Sequence, residues 1–341
     1  MRIILIGYGV VGQSLTDIFL QRKIENLRNY GFNPKVVAIT DRGGAAINIK
    51  GLDLKRIQSI KKREGTVAAD SVFGHRQMSG QDIIQSIEAE IMIEATSTNI
   101  TTGEPGISNI KTAFNTGKHV VTTNKGPLAL SFPTLIELAE HNKVLLRFSG
   151  TVGGGTPILE FAKKCLEGDR IKEIHGILNG TTNYILTEMA EKKVTFEKAL
   201  ESAQKLGYAE TNPAMDIDGL DSAAKVVIIG NWIMNKKFTL KDVDIIGIRD
   251  ITLNALEIAS KKGKRIKLIG SIDGKPTVAP KEIERNDPLC VNGVLNAVTF
   301  VSEYAGRETI IGRGAGGIET ASAVLRDLLD IKHHLANKIL S

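Results

Sequence analysis

Directly after Met1 the chain reads Arg2-Ile3-Ile4-Leu5-Ile6-Gly7-Tyr8-Gly9-Val10-Val11-Gly12, an apolar run that breaks into the pattern G-x-G-x-x-G. Residues 13–23 follow with helical spacing of apolar side chains at Leu15, Ile18 and Phe19. A strand, a glycine turn and an amphipathic helix in that order form the setting in which the pattern has physical meaning. Gly7 permits the tight turn, Gly9 lets backbone approach a pyrophosphate, and Gly12 lets helix and strand pack closely. The free N–H groups at the helix start then face the phosphates. Gly7, Gly9, Val10, Val11 and Gly12 are therefore candidate dinucleotide contacts.

Further along, strand-like and helix-like segments alternate. Residues 36–40, 90–95, 119–122 and 144–148 read as strands, and residues 112–115 and 133–140 as helices. Such alternation predicts a parallel sheet covered on both faces, here a doubly wound, Rossmann-type α/β domain. The second strand ends at Thr40-Asp41-Arg42, later than the usual spacing because residues 26–34 lengthen the first connection. An acid there holds ribose hydroxyls, so Asp41 favours NAD. Arg42 pairs with a 2′-phosphate and favours NADP, with the basic run Lys61-Lys62-Arg63 in support. The two readings stay open. Thr96, Ser97 and Thr123 stand just past strand ends, which face the ligand crevice in open α/β sheets.

At Ser149 the character changes to a glycine-dense turn, Gly150-Thr151-Val152-Gly153-Gly154-Gly155-Thr156-Pro157. Beyond it, residues 158–166, 182–191, 196–206 and 220–231 are helix-like, and residues 171–178, 266–272 and 297–302 strand-like, an α+β pattern. Gly312-Arg313-Gly314-Ala315-Gly316-Gly317 opens a last helix running to about Leu340. The expected division is residues 1–148 for dinucleotide binding, 149–305 for substrate and catalysis, and 306–341 for a helix returning to the first domain.

The 341 residues are 42% apolar and carry 44 Lys plus Arg against 38 Asp plus Glu, a net charge of +6. The basic residues are scattered, which reads as a solvated surface and not as a nucleic-acid face. No apolar run approaches the roughly 18 residues of a membrane span. The N-terminal run, interrupted at once by glycine, is a first strand and not a signal peptide. Cys165 and Cys290 stand alone, without CxxC or metal-ligand spacing, which fits a reducing cytoplasm.

Several segments then converge on one family. Val121-Thr122-Thr123-Asn124-Lys125-Gly126-Pro127-Leu128-Ala129 resembles homoserine dehydrogenase. So do residues 151–158, Asn179-Gly180-Thr181-Thr182-Asn183-Tyr184-Ile185, and Gly207-Tyr208-Ala209-Glu210 followed by Pro213, Asp216, Asp218-Gly219-Leu220-Asp221 and Lys225. Gly314-Ala315-Gly316 with Thr320-Ala321 and Asp327 completes the series. The resemblance runs in order through nearly the whole chain. The length is that of the stand-alone form, with no fused aspartate kinase domain expected.

The resemblance implies reversible hydride transfer between L-homoserine and L-aspartate 4-semialdehyde, with NAD or NADP. Carbonyl reduction needs a hydride donor, a proton donor at the oxygen, and positive charge where the alkoxide develops. Lysine supplies the last two. Asp218, Asp221 and Lys225 fall at i, i+3 and i+7 of a predicted helix, on one face, before the apolar Val226-Val227-Ile228-Ile229. Carried over by resemblance, Lys225 is the proton donor and, in reverse, the acceptor, and Asp221 orients the lysine or the substrate hydroxyl. Lys125, a second catalytic candidate, lies near the nicotinamide and the reacting oxygen, where it can share the proton work. Glu210 and Asp216 hold the substrate ammonium, Gly180, Thr181 and Tyr208 line its other end, and Gly316 brings backbone to the cofactor. The resemblance also implies a homodimer formed through the middle domain.

One departure concerns a monovalent cation. The family's glycine-rich hinge holds one with a glutamate and nearby carbonyls. Here Val152 and Gly154 retain the carbonyls, but Ser149 stands for the glutamate, so no tight sodium site is expected. Two rival readings are an aspartate dehydrogenase-like amino-acid oxidoreductase and a dinucleotide-binding sensor without catalysis. A thioester-forming semialdehyde dehydrogenase needs a cysteine nucleophile, and neither cysteine has a base near it in sequence.

Overall fold

Strand β1 (Arg2–Ile6) buries Ile3, Ile4, Leu5 and Ile6 alike. A strand apolar on both faces belongs inside a parallel sheet. In the computed structural model, which describes residues 1–340 apart from the side chains of Ile24, Asn26 and residues 337–340, β1 pairs in parallel with β2 (Lys35–Asp41) and, on its other side, with β5 (Ile91–Glu94). β5 continues in parallel to β6 (His119–Thr122), and β6 to β7 (Leu146–Arg147). β3 (Gly44–Ile47) and β4 (Gly74–His75) extend the sheet antiparallel beyond β2, in a stretch where the sequence pattern showed no strand. The order is β4-β3-β2-β1-β5-β6-β7. Strand order thus reverses at β1, which is where the crevice of such a sheet opens. The glycine turn follows β1, Thr96 and Ser97 follow β5, and Thr123 to Lys125 follow β6.

The last helix, Gly317–Leu340, closes this sheet's core. Ala321, Val324, Leu328 and Ile331, spaced to share one helix face, are buried with Ile3, Leu5, Leu15 and Ile93. The chain divides into two compact units, Met1–Thr151 with Gly316–Ser341, and Val152–Ala315. The cut expected at 305/306 therefore lies ten residues further on. The reason is β13 (Arg307–Arg313), which pairs antiparallel with residues 295–301 of β12 (Leu295–Ser302) and holds that segment in the second unit. Gly312 and Arg313 are strand, and the helix begins only at Gly317.

The second unit is built on a sheet of order β13-β12-β8-β10-β11-β9, with β8 (Ile171–Ile177), β9 (Asp244–Ile245), β10 (Lys264–Asp273) and β11 (Lys275–Glu284). All pairings are antiparallel except β9 with β11. Helices Gly180–Lys192 and Leu220–Ile233 pack on this sheet. The latter buries every residue from Asp221 to Asn231, a helix apolar nearly all round that carries two charges inward.

Candidate active site

In the first unit the three glycines of the turn separate by physical need. Gly7 has φ +99°, and a Cβ there would lie 2.4 Å from the Ala95 carbonyl oxygen. A Cβ on Gly12 would lie 2.6 Å from the Gly7 carbonyl oxygen. Both are demanded by the chain's own packing. A Cβ on Gly9 would meet nothing within 4 Å. The chain's own packing does not demand a glycine there, and the open space leaves room for a group from outside. The helix Val10–Gln21 starts at Gly9 without a side-chain cap and without an acid in its first turn, and Val10 is exposed. This is a cradle for an anion, and it fits a dinucleotide pyrophosphate. Gly316 and Gly317 belong to the same unit. A Cβ on Gly317 would strike Val10 and Ser14, so the returning segment lies against the start of that helix.

The ends of β5 and β6 are knitted by an acid that the sequence reading passed over. Glu94, fully buried, accepts from the Thr96 N–H at 2.9 Å, from the Thr96 hydroxyl, and from Asn109 Nδ2 at 2.7 Å. Burial pushes its carboxyl up against these hydrogen bonds. Asn124 Nδ2 donates to Thr96 Oγ1 at 3.2 Å, and Asn124 Oδ1 caps the helix Lys125–His141 at the Gly126 N–H, 3.1 Å away. Lys125, half-buried, is thereby fixed at that helix's first position, while Ser97 is exposed and Thr123 half-buried. The only signal for Glu94 was its place at the end of the otherwise apolar strand Ile91–Glu94.

Asp41 ends β2, as the sequence suggests, but its carboxylate is already engaged within the unit. Its two oxygens accept from Lys61 Nζ (2.8 Å), Thr66 Oγ1 (2.7 Å), and the N–H groups of Val67 (2.8 Å) and Gly43 (2.9 Å). Four donors fill a carboxylate's acceptor sites. Asp41 is a brace between β2 and the loop after the helix Leu54–Glu64, with no acceptor left for ribose. Arg42 beside it is exposed. Burial raises the Asp41 carboxyl, but Lys61, Thr66 and the two backbone donors outweigh it and hold it below the usual range. A carboxyl lowered on folding adds stability above its unfolded value near pH 4, which is lost as pH falls through the folded value. Asp41→Asn is expected to lose about 2 kcal/mol of stability at neutral pH, with the gap to the parent closing on acidification. Thermal melts from about pH 7 down to pH 3 check this.

In the second unit the charged cluster is compact. Lys225 and Asp221 are each 7% exposed. Lys225 Nζ donates to Asp221 Oδ2 at 2.7 Å and to the Leu178 carbonyl at 2.6 Å. An ammonium has three N–H bonds, so one lies outside these two contacts. Asn179, at the turn from β8 into the helix Gly180–Lys192, donates through Nδ2 to Asp216 Oδ1 at 2.6 Å and to Asp221 Oδ2 at 2.9 Å. Its Oδ1 accepts from the Thr182 N–H at 2.9 Å and so caps the helix. Burial raises the Asp216 carboxyl, and the neighbouring Asp221 adds to the rise. Thr181 Oγ1 donates to the Tyr208 carbonyl at 2.7 Å, and the Tyr208 ring lies 5.0 Å from that of Tyr184. Gly180 sits so close to the Val294 carbonyl that a Cβ would lie 2.7 Å from it. Glu210 is exposed. Asn179 was quoted in its motif yet given no role; a polar side chain at the end of an apolar strand was the signal.

Asp218 departs from the expected face. Gly219, with φ +86°, separates it from the helix Leu220–Ile233, and Asp218 pairs with Arg249 instead. Asp221 and Lys225 alone share the helix face. At the hinge, the Ser149 hydroxyl and N–H are both taken by the buried Asp327 carboxylate. Ser149 is thus committed within the first unit, and Val152 and Gly154 are buried in the second. Burial pushes the Cys290 thiol up, and Cys165 is exposed.

Comparison with known proteins decides the family. The family model for the homoserine dehydrogenase NAD binding domain matches residues 7–149, and that for homoserine dehydrogenase matches residues 157–329. The chain belongs to the homoserine dehydrogenase family. A homoserine dehydrogenase of Methanocaldococcus jannaschii is 46% identical over 97% of this chain and 98% of its own length. An NAD(+)-dependent homoserine dehydrogenase of Pseudomonas canavaninivorans is 38% identical over 99% and 97%. Among solved structures, a hyperthermophilic archaeal homoserine dehydrogenase in complex with NADPH matches with TM-score 0.86 and 29% identity over 98% of both chains. As a homoserine dehydrogenase, this chain is an NAD(P)-dependent oxidoreductase of amino-acid biosynthesis that interconverts L-homoserine and L-aspartate 4-semialdehyde. The aspartate dehydrogenase-like and sensor readings fall away. Among the described residues no helix is long and apolar enough to cross a membrane.

Proposed function

We propose that Lys225 carries the proton of this reaction. The observation behind this reading is a buried ammonium fixed by two acceptors, with one N–H left over for a substrate oxygen. The nicotinamide, when bound, takes or supplies the hydride. Lys225 takes the hydroxyl proton as homoserine is oxidised, and gives it back to the carbonyl oxygen in reduction. Asp221 steadies the ammonium. Asp216 and Glu210 receive the substrate's own ammonium, and Gly180, Thr181 and Tyr208 frame its carboxylate end. Gly7, Gly9, Val10, Val11, Gly12, Thr96, Ser97, Thr123, Lys125 and Gly316 hold the dinucleotide. On this reading the first unit binds cofactor, and the second carries the substrate site and the contact surface of a homodimer. Two unpaired cysteines without metal-ligand spacing support action in the cytoplasm.

The same reading covers cofactor choice. An unpaired acid at the end of β2 repels a 2′-phosphate. The charge of Asp41 is matched by Lys61, and Arg42 stands exposed next to it. NADP is therefore accepted at least as well as NAD. Steady-state oxidation of homoserine with each cofactor tests this. The expected result is turnover with both and a KM for NADP+ no higher than for NAD+. A preference for NAD+ of more than about tenfold in kcat/KM contradicts the cofactor reading, and turnover with neither contradicts the proposal entirely.

A further inference from the structure

Each of the two acceptors that hold the Lys225 ammonium also holds an asparagine amide. Asn179 Nδ2 donates to Asp221 Oδ2 at 2.9 Å, and Asn296 Nδ2 donates to the Leu178 carbonyl at 3.0 Å. We infer that Asn296 is a positioning residue for the proton transfer: it fixes the Leu178 carbonyl and shares that oxygen with the ammonium, so that Lys225 is held in place for the transfer without being gripped by that carbonyl alone. This rests on the reading of Lys225 as the proton carrier.

Three observations support it. Asn296, in β12, is 1% exposed, and its Oδ1 is buried with no partner among the described residues. A buried acceptor left unmet opposes folding and offsets what the donated hydrogen bond to Leu178 adds. The amide's orientation follows from chemistry as well: exchanging O and N would set two acceptors face to face across 3.0 Å. Finally, Gly314, a glycine of the motif that no role had absorbed, makes room for the amide. A Cβ there would lie 2.0 Å from Asn296 Nδ2, and Gly314 is itself held close against Gly154.

The physical effect has a sign. A carbonyl oxygen that already accepts one hydrogen bond shares its lone-pair density and binds a second donor less strongly. Without Asn296 the Leu178 carbonyl grips the ammonium harder, and the charged form is favoured. Homoserine oxidation needs the neutral amine as base, and aldehyde reduction needs the ammonium as acid. Both limbs of the pH dependence then move to higher pH.

The test measures kcat and KM for homoserine against pH in Asn296→Ala and in Asn296→Leu, whose near-equal shape keeps the strand packed should alanine fail to fold. Lys225→Met is assayed alongside. The expected result is a kcat reduced about tenfold near neutral pH with KM for homoserine within about threefold. The acid limb should move up by about half a pH unit or more. A pH profile that superimposes on the parent's overturns the inference, even where kcat has fallen with thermal stability, since that is what a structural role alone produces. Turnover surviving in Lys225→Met overturns the underlying reading too. A dead Lys225→Met beside Asn296 variants of parental profile overturns this inference only.

Discussion

Lys225→Ala is expected to lower kcat about a thousandfold in both directions, the span ascribed to a positioned acid–base group. The dissociation constant for NAD(P)H should stay within about twofold of the parent's, since the dinucleotide cradle lies in the other unit of the fold. Folding must be separated from catalysis here. Removing the ammonium takes the Lys225 charge away from an Asp221 that is only 7% exposed, and breaking such a pair is expected to destabilise by about 3 kcal/mol. The double substitution Lys225→Ala with Asp221→Ala removes both charges. It should recover much of the lost thermal stability and none of the turnover. A Lys225→Ala enzyme with turnover near the parent's would assign the proton to another group, and Lys125 would be the next to test.

Gly9→Ala and Gly7→Ala are expected to fail in opposite ways. Gly9 has φ −84° and ψ −154°, which alanine adopts freely, and a Cβ there meets nothing within 4 Å. The variant should fold and melt like the parent. Its affinity for NAD(P)H should nevertheless drop about a hundredfold, because the methyl group occupies the place where the pyrophosphate meets backbone. Gly7→Ala forces a side chain into φ +99° and to within 2.4 Å of the Ala95 carbonyl. It should destabilise the first unit itself, with cofactor binding lost as a consequence. Melting curves and nicotinamide fluorescence titrations separate the two. Parental affinity in Gly9→Ala would mean that the open space above Gly9 is not where the dinucleotide sits.

Much of the fold was legible because its signals are local. The apolar run of β1, the glycines after it and the amphipathic helix that follows are set by neighbours in sequence, and the turn formed as their spacing required. The helix carrying Asp221 and Lys225 announced itself by its apolar run. What escaped depended on distant partners. β11 contains two prolines and several charges and looks like no strand; it is one because β10 lies beside it over ten residue pairs. β13 is likewise made by β12, which moved the boundary of the second unit. The engagement of Asp41 was hidden for the same reason: its spacing from the glycines suits ribose, but Lys61 and Thr66 arrive from elsewhere in the sequence and bond its oxygens. Asp218 shows how one residue, Gly219, turns a helical spacing into a break. Asn179 and Asn296 lie 117 positions apart and acquire meaning only because β8 and β12 are neighbours in one sheet.

Lys225 is expected to meet the reacting oxygen. The structure of the chain with NADP+ and homoserine bound, or with a non-reacting homoserine analogue, addresses it most directly. The expected result is a substrate hydroxyl oxygen at about 3 Å from Lys225 Nζ, taking up the N–H that neither Asp221 nor Leu178 holds. A hydroxyl oxygen more than about 6 Å from that nitrogen, with another side chain as its hydrogen-bond partner, would contradict it.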